Sequence, residues 1–156
     1  PILIKLSPDI NSSEISNICE ITNKYNIDGL IISNSTDKHR DDLLDVNRGE
    51  KGGLSGKPIF DLSNKLIKKF YKELKGKVPI IGVGGVDTGE SAFEKISHGA
   101  SVVQLYTGMI YKGPTIAKEI KNQLISILGK NRIKNIREAI GINAWPYNRS
   151  QLYNHY

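Results

Sequence analysis

Four apolar runs recur along the chain, and each is followed by a segment with helical spacing. They are "ILIKLS" at 2–7, "DGLIISNS" at 28–35, "VPIIGVGG" at 78–85 and "SVVQLYTG" at 101–108. Nearly continuous apolar runs separated by helices are the pattern of parallel strands covered by helices, because parallel neighbours need a long crossover between them. This alternation constrains the fold more than any other feature, and it predicts an α/β architecture. In the first run, period-two geometry sets Ile2, Ile4 and Leu6 on one face and Leu3, Lys5 and Ser7 on the other, and Pro8 stops the strand. Ile15, Ile18, Cys19 and Thr22 form the inner stripe of a first helix, which Ser12 or Ser13 is placed to cap. Leu62, Leu66, Phe70 and Leu74 mark a second helix, and "GESAFEKISHGA" a short third one closed near Gly99. Ile116, Ile120, Leu124, Ile127 and Leu128 mark a long amphipathic helix, and "NIREAIG" a last short one.

Four βα units fit either an open doubly wound sheet or half of an eight-stranded (β/α)8 barrel, a fold that typically needs about 250 residues. The chain has 156 residues, begins directly with a strand after Pro1, and carries Met109 as its sole methionine. The expectation is therefore the second half of a TIM barrel, strands five to eight, over residues 1–141, with 142–156 as a C-terminal tail. The net charge of +6 comes from lysines scattered along helical patterns, which reads as solvated helix faces. A single cysteine excludes an internal disulfide framework, and Cys19 falls in the apolar stripe of a helix, as core. No apolar run approaches the ~18–20 residues that span a bilayer, and no signal peptide precedes the first strand.

In both architectures ligands gather at the carboxyl ends of the strands. Those ends carry Lys5, then Ser33, Asn34 and Ser35, then Gly84 and Gly85, then Tyr106 and Thr107. Lys5 sits between two apolar residues of a strand, where it either finds a carboxylate or solvent, or faces an anionic or electron-rich ligand. Asn34 donates and accepts at once, which suits a ring with adjacent C=O and N–H groups; taken alone, it suits loop backbone equally well. "GGLSG" at 52–56 lets backbone approach a flat ring or phosphate, without the lysine spacing of a P-loop. "GVGGV" is either a plain strand-to-helix turn or, after a seventh strand, a phosphate site built from backbone amides and a nearby helix N-terminus. Gly113 and Thr115 open the last long helix close by. His39, His98 and His155 show no metal-ligand spacing, no Ser-His-Asp arrangement is suggested, and no basic aromatic stretch resembles a nucleic-acid platform.

The segments "ILIKLSPD", "IDGLIISNST", "GGLSGKPIFDLS", "VPIIGVGGVDTGESAFEKISHGASVVQLYTGMIYKGP" and "IREAIG" occur in this order. Together they strongly resemble the C-terminal half of the class 2, quinone-linked dihydroorotate dehydrogenases, over about residues 1–141. The resemblance implies a (β/α)8 barrel that binds FMN and oxidises dihydroorotate to orotate in pyrimidine (UMP) synthesis. It further implies a quinone as electron acceptor and a place on the mitochondrial inner membrane. Carried over residue by residue, it gives Lys5, Ser33, Gly56, Gly84, Gly85, Tyr106 and Thr107 to FMN. Asn34 and Ser35 are given to orotate.

The family commonly has Thr-Asn-Thr-Thr where this chain has Ser33-Asn34-Ser35-Thr36, so the hydroxyls stay and two methyls are lost. The resemblance puts the family's serine base and its quinone tunnel in the other half. It therefore implies no catalytic base in these residues, a partner in the N-terminal half of the same enzyme, and no turnover by this chain alone. No family role attaches to the tail, which is read as a docking strap or a disordered end. Two other readings stand beside this one: a dihydrouridine synthase-like FMN barrel, and a non-catalytic half-barrel that binds phosphate.

Overall fold

A computed structural model describes residues 1–38 and 40–145. His39 and residues 146–156, most of the tail and His155 with it, lie outside the described residues. The element order is β1 (Leu3–Leu6), α1 (Ser12–Lys24), β2 (Gly29–Ile32), α2 (Phe60–Glu73), β3 (Ile80–Val83), α3 (Gly89–Ser97), β4 (Val102–Gln104), α4 (Thr107–Lys112) and α5 (Ile116–Lys130). Short 3-10 turns at Lys57–Ile59 and Ile136–Ala139 complete it. The four strands form one sheet in sequential order, β1-β2-β3-β4, with every pair parallel. The predicted α/β alternation and parallel sheet are what the chain adopts.

The register puts Lys5 beside Ile31, Ile31 beside Ile81 and Ile81 beside Val102. One sheet face therefore carries Ile4, Leu6, Leu30, Ile32, Ile80, Gly82 and Val103. Helices cover it: Leu6, Leu30, Ile32 and Ile80 pack with Ile15, Cys19, Leu66, Ile67, Phe70 and Leu74 in the main core. A second cluster, Val86, Ala92, Ile116 and Ile120, joins α3 to α5. The opposite face carries Leu3, Lys5, Ile31, Ile81, Val83, Val102 and Gln104, and it is half-buried at best. The apolar runs suggest burial on both faces; within this chain only the helix-covered face achieves it.

Three local expectations are corrected. Asn11, not Ser12 or Ser13, caps α1: its side chain accepts from Glu14 N–H at 3.0 Å, and Glu14 Oε2 accepts from Asn11 N–H at 2.7 Å. Such reciprocal satisfaction of two otherwise unpaired donors is a capping box, which a serine one residue later cannot make with the same glutamate. The fourth strand ends at Gln104, so Tyr106 and Thr107 do not belong to it; Tyr106 stands just before the six-residue helix α4 and Thr107 opens it. Finally, Ile2 stands 64% exposed beyond the start of β1 rather than on its inner face. The first residues of the tail are seated: Asn143 N–H donates to Ser97 O at 2.9 Å, Ala144 is buried, and Trp145 lies beneath the Lys72 ammonium.

Candidate functional site

All nine residues expected at the site from the sequence line one cleft of about 260 Å³ at the carboxyl ends of the strands. These are Lys5, Ser33, Asn34, Ser35, Gly56, Gly84, Gly85, Tyr106 and Thr107. The strands bring them there because each leaves the sheet at the same edge. Asn34 N–H donates to Leu6 O at 2.8 Å, and Ser33 N–H donates to Val83 O at 3.2 Å, so β2 is tied to both neighbours where it ends. The peptide between Ile32 and Ser33 is cis. Ser33 is buried and its hydroxyl donates to Asn34 O at 3.1 Å.

Lys5 and the Asn34 side chain differ from these anchors. Lys5 is exposed on the open sheet face and makes no hydrogen bond or ion pair with the described residues. Asn34 binds through its backbone, which leaves its side-chain amide without an internal partner among the described residues. Among the described residues Lys5 meets no carboxylate and reaches solvent, so both of its readings stay open, while the Asn34 side-chain amide braces no loop backbone.

The connection 33–56 returns across the cleft. Thr36 and Leu54 exchange backbone hydrogen bonds of 3.0 and 2.7 Å, and Thr36 Oγ1 donates to Asp9 Oδ1 at 2.7 Å. The glycine loop is thereby laid between the β2 and β4 ends. Ser55 Oγ lies 2.9 Å from Thr107 Oγ1, and Gly56 takes φ +77° directly against the Thr107 methyl, where a Cβ would sit 2.8 Å from it. Ser55 was not singled out beforehand, although it lies inside the quoted motif. A broader hollow formed by residues 41–48 of the same connection lies within one exposed segment and gathers no residue from the strand ends.

Gly84 and Gly85 take φ of +112° and +73°, conformations that side chains rarely adopt. A Cβ on Gly85 would lie 2.6 Å from Phe60 Cβ. The loop hydrogen bonds use neither glycine's N–H group. The α3 N-terminus is different, because the N–H groups of Gly89 and Ser91 are already engaged. Ser91 N–H donates to Thr88 Oγ1 and Gly89 N–H to Gln123 Oε1, while Ser91 Oγ accepts from the Asp87 and Thr88 N–H groups. The glycine pair, unlike the start of α3, lines the cleft. Lys112 holds the following loop by donating to Asp87 O at 2.9 Å and pairing with its carboxylate at 3.5 Å.

The arrangement offers a strand-borne cation, an amide that both donates and accepts, serine and threonine hydroxyls, and a glycine cradle suited to phosphate. A planar heterocycle next to an anionic tail matches that donor set. Among the described residues no cluster of three or more histidine, cysteine, aspartate or glutamate side chains is placed to hold a metal. None of the described helices is long and apolar enough to cross a membrane.

Comparison with known proteins bears on the same residues. The dihydroorotate dehydrogenase family model matches residues 1–128. The chain is 45% identical to the mitochondrial dihydroorotate dehydrogenase (quinone) of Arabidopsis thaliana, with 90% of this chain and 31% of that protein covered. It is 41% identical to the mouse mitochondrial enzyme, covering 91% and 36% of the two chains. The ligand-free dihydroorotate dehydrogenase crystal structure from Eimeria tenella superposes with a TM-score of 0.89 at 38% identity, covering 92% of this chain and 40% of that one. The chain thus spans between about a third and two-fifths of the length of these relatives. A fold and a sequence that agree over nine-tenths of the chain leave one assignment: it belongs to the dihydroorotate dehydrogenase family.

Proposed function

We propose that this chain forms strands five to eight of an FMN-binding (β/α)8 barrel, within an enzyme that oxidises dihydroorotate to orotate with a quinone as acceptor, in pyrimidine (UMP) synthesis. The observation that carries the reading is that Lys5 and Asn34 present unpartnered polar groups into the same cleft as an uncommitted glycine pair. FMN bound there would supply two-electron redox chemistry between dihydroorotate and the quinone.

Lys5, fixed on β1, holds a positive charge where the flavin ring would gather electron density; this role is electrostatic and moves no proton. Ser33 and Gly56 would hold the flavin ring, Asn34 and Ser35 would bind the substrate's C=O and N–H groups, and Gly84, Gly85, Tyr106 and Thr107 would hold the ribityl phosphate end. No serine of this chain is assigned as base; the base and the quinone tunnel belong to the N-terminal half of the same enzyme, which completes the barrel. The plant and mouse relatives are named as mitochondrial, which supports a mitochondrial setting, and the inner membrane within it is part of this proposal.

The test is made on the native protein. Dihydroorotate added without oxygen should bleach the flavin absorbance, and a short-chain quinone should restore it. Asn34→Ala should raise KM for dihydroorotate about tenfold, since a buried polar partner is then unmatched. A protein that carries no flavin, or a flavin that dihydroorotate does not bleach, defeats the reading.

A further inference from the structure

Lys95 has no part in the cleft lining and is nevertheless the most unusual side chain in the chain. It lies on α3 with no exposure at all. Burying a lysine is expensive unless its nitrogen is satisfied. Its Nζ donates to Asn64 Oδ1 at 2.7 Å and to Ser63 Oγ at 3.1 Å, and it stands 5.0 Å from the centre of the Phe60 ring. All three partners lie on the first turns of α2, and two of them also meet the glycine pair: Phe60 Cβ packs on Gly85, and Ser63, with the preceding Ile59, packs on Gly84. Room for the lysine stem exists only because residue 82 is glycine, since a Cβ there would meet Lys95 Cγ and Cδ at 2.7 Å.

The hydrogen-bond directions carry the argument. Ser63 has one hydroxyl proton. Accepting from Lys95 turns that proton away from α3, and it is donated to Val83 O at 2.5 Å. Val83 O also accepts from Ser33 N–H, so this carbonyl is held from two sides. In a trans peptide the C=O and the following N–H point in opposite directions. Fixing Val83 C=O toward β2 and α2 therefore directs Gly84 N–H the other way, to the side on which β4 ends.

We propose that Lys95 is a positioning residue for the anion cradle, acting through Ser63 to fix the Val83–Gly84 peptide so that the glycine pair presents its N–H groups to a phosphate. The proposal rests on the flavin reading above and adds to it a residue outside the cleft. Glu94 and Asp61 face the same amine electrostatically, and Asn64 links Glu94 to it through a 3.4 Å hydrogen bond.

The experiment compares FMN with riboflavin, which lacks the phosphate. The native protein is stripped of flavin, and both ligands are titrated by flavin fluorescence into wild type, Lys95→Met, Ser63→Ala and the double variant. Loss of one oriented hydrogen bond should reduce the FMN-over-riboflavin preference about tenfold. Riboflavin affinity should stay unchanged. The double variant should lose no more than either single one, because the two residues act as a unit. Equal weakening of both ligands, an unchanged preference, or additive losses would overturn the positioning role. Should Lys95→Met fail to fold, Ser63→Ala decides alone, since it leaves the lysine stem packed. A wild type without any preference for FMN would overturn the flavin reading itself.

Discussion

Lys95 and Cys19 show how burial rather than residue type sets chemical character. Burial pushes the Lys95 amine down to about 7 from an ordinary 10.5, against the smaller opposing pull of Glu94 and Asp61. Burial, with Glu73 adding to it, pushes the Cys19 thiol up to about 11, so it remains a protonated core group as its helical stripe predicts. For Lys95 the consequence is a stability that depends on pH. Below about 7 the amine is protonated in both the folded and unfolded chain, and folding bears the full cost of the buried charge. Between about 7 and 10.5 the unfolded chain holds the proton and the folded one releases it, so stability rises with pH across that window. Denaturant titrations of wild type and Lys95→Met at pH 7, 8 and 9 should show the wild-type midpoint gaining on the variant at each step; parallel pH dependences would contradict this. Lys5 and Asn34 were legible because strand alternation and strand ends fix where a side chain goes. Lys95 was not, since a lysine on a helix reads as solvated. The signal was present: Ala92, three residues earlier on the same helix face, and the adjacent Ile96 are both apolar and buried.

At the level of elements, the ends of all four strands and the loops that follow them carry the site, and the helices brace them. Gly85 needs φ +73° and close contact with Phe60 at the same time. Gly85→Ala should therefore cost on the order of 1–3 kcal/mol in stability, and the variant should lose FMN more than riboflavin. Asn11→Ala should cost about 1 kcal/mol by removing a helix cap, with no change in the ratio of the two affinities. Comparing the two variants by thermal melts and flavin titration separates a loop that serves the site from a cap that serves only its helix; equal effects on binding would deny the distinction. The elements themselves were read from periodicity wherever a buried stripe existed. Helix α4 escaped because none of its six residues is buried, so no stripe marks it. The α1 cap was misplaced by one or two residues because Asn11, Ser12 and Ser13 are all competent caps, and only the distance to Glu14 decides among them.

The whole molecule is a sheet with one face finished and one open. Among the described residues β1 and β4 each have a strand neighbour on one side only, and the sheet does not close on itself. Leu3 and Val102, at these two edges, are 46% and 57% exposed on the uncovered face, with Ile2 at 64% beside them. Near the end of β4, Tyr106, Ile110 and Tyr111 are likewise exposed. Unpaired backbone donors and acceptors flanked by apolar side chains form a template for another strand. In the proposed barrel those edges meet strands one and four, and the uncovered face becomes the interior, which explains why runs that read as doubly buried are only singly buried here. The same geometry gives the last prediction. Residues 1–156 produced alone should self-associate, with sedimentation showing oligomers whose population rises with concentration. Adding the complementary barrel half should convert them to a one-to-one complex that binds FMN. Monomers at high concentration, with a cooperative melt of their own, would mean that the edges are tolerated in water and that this sheet does not require closure.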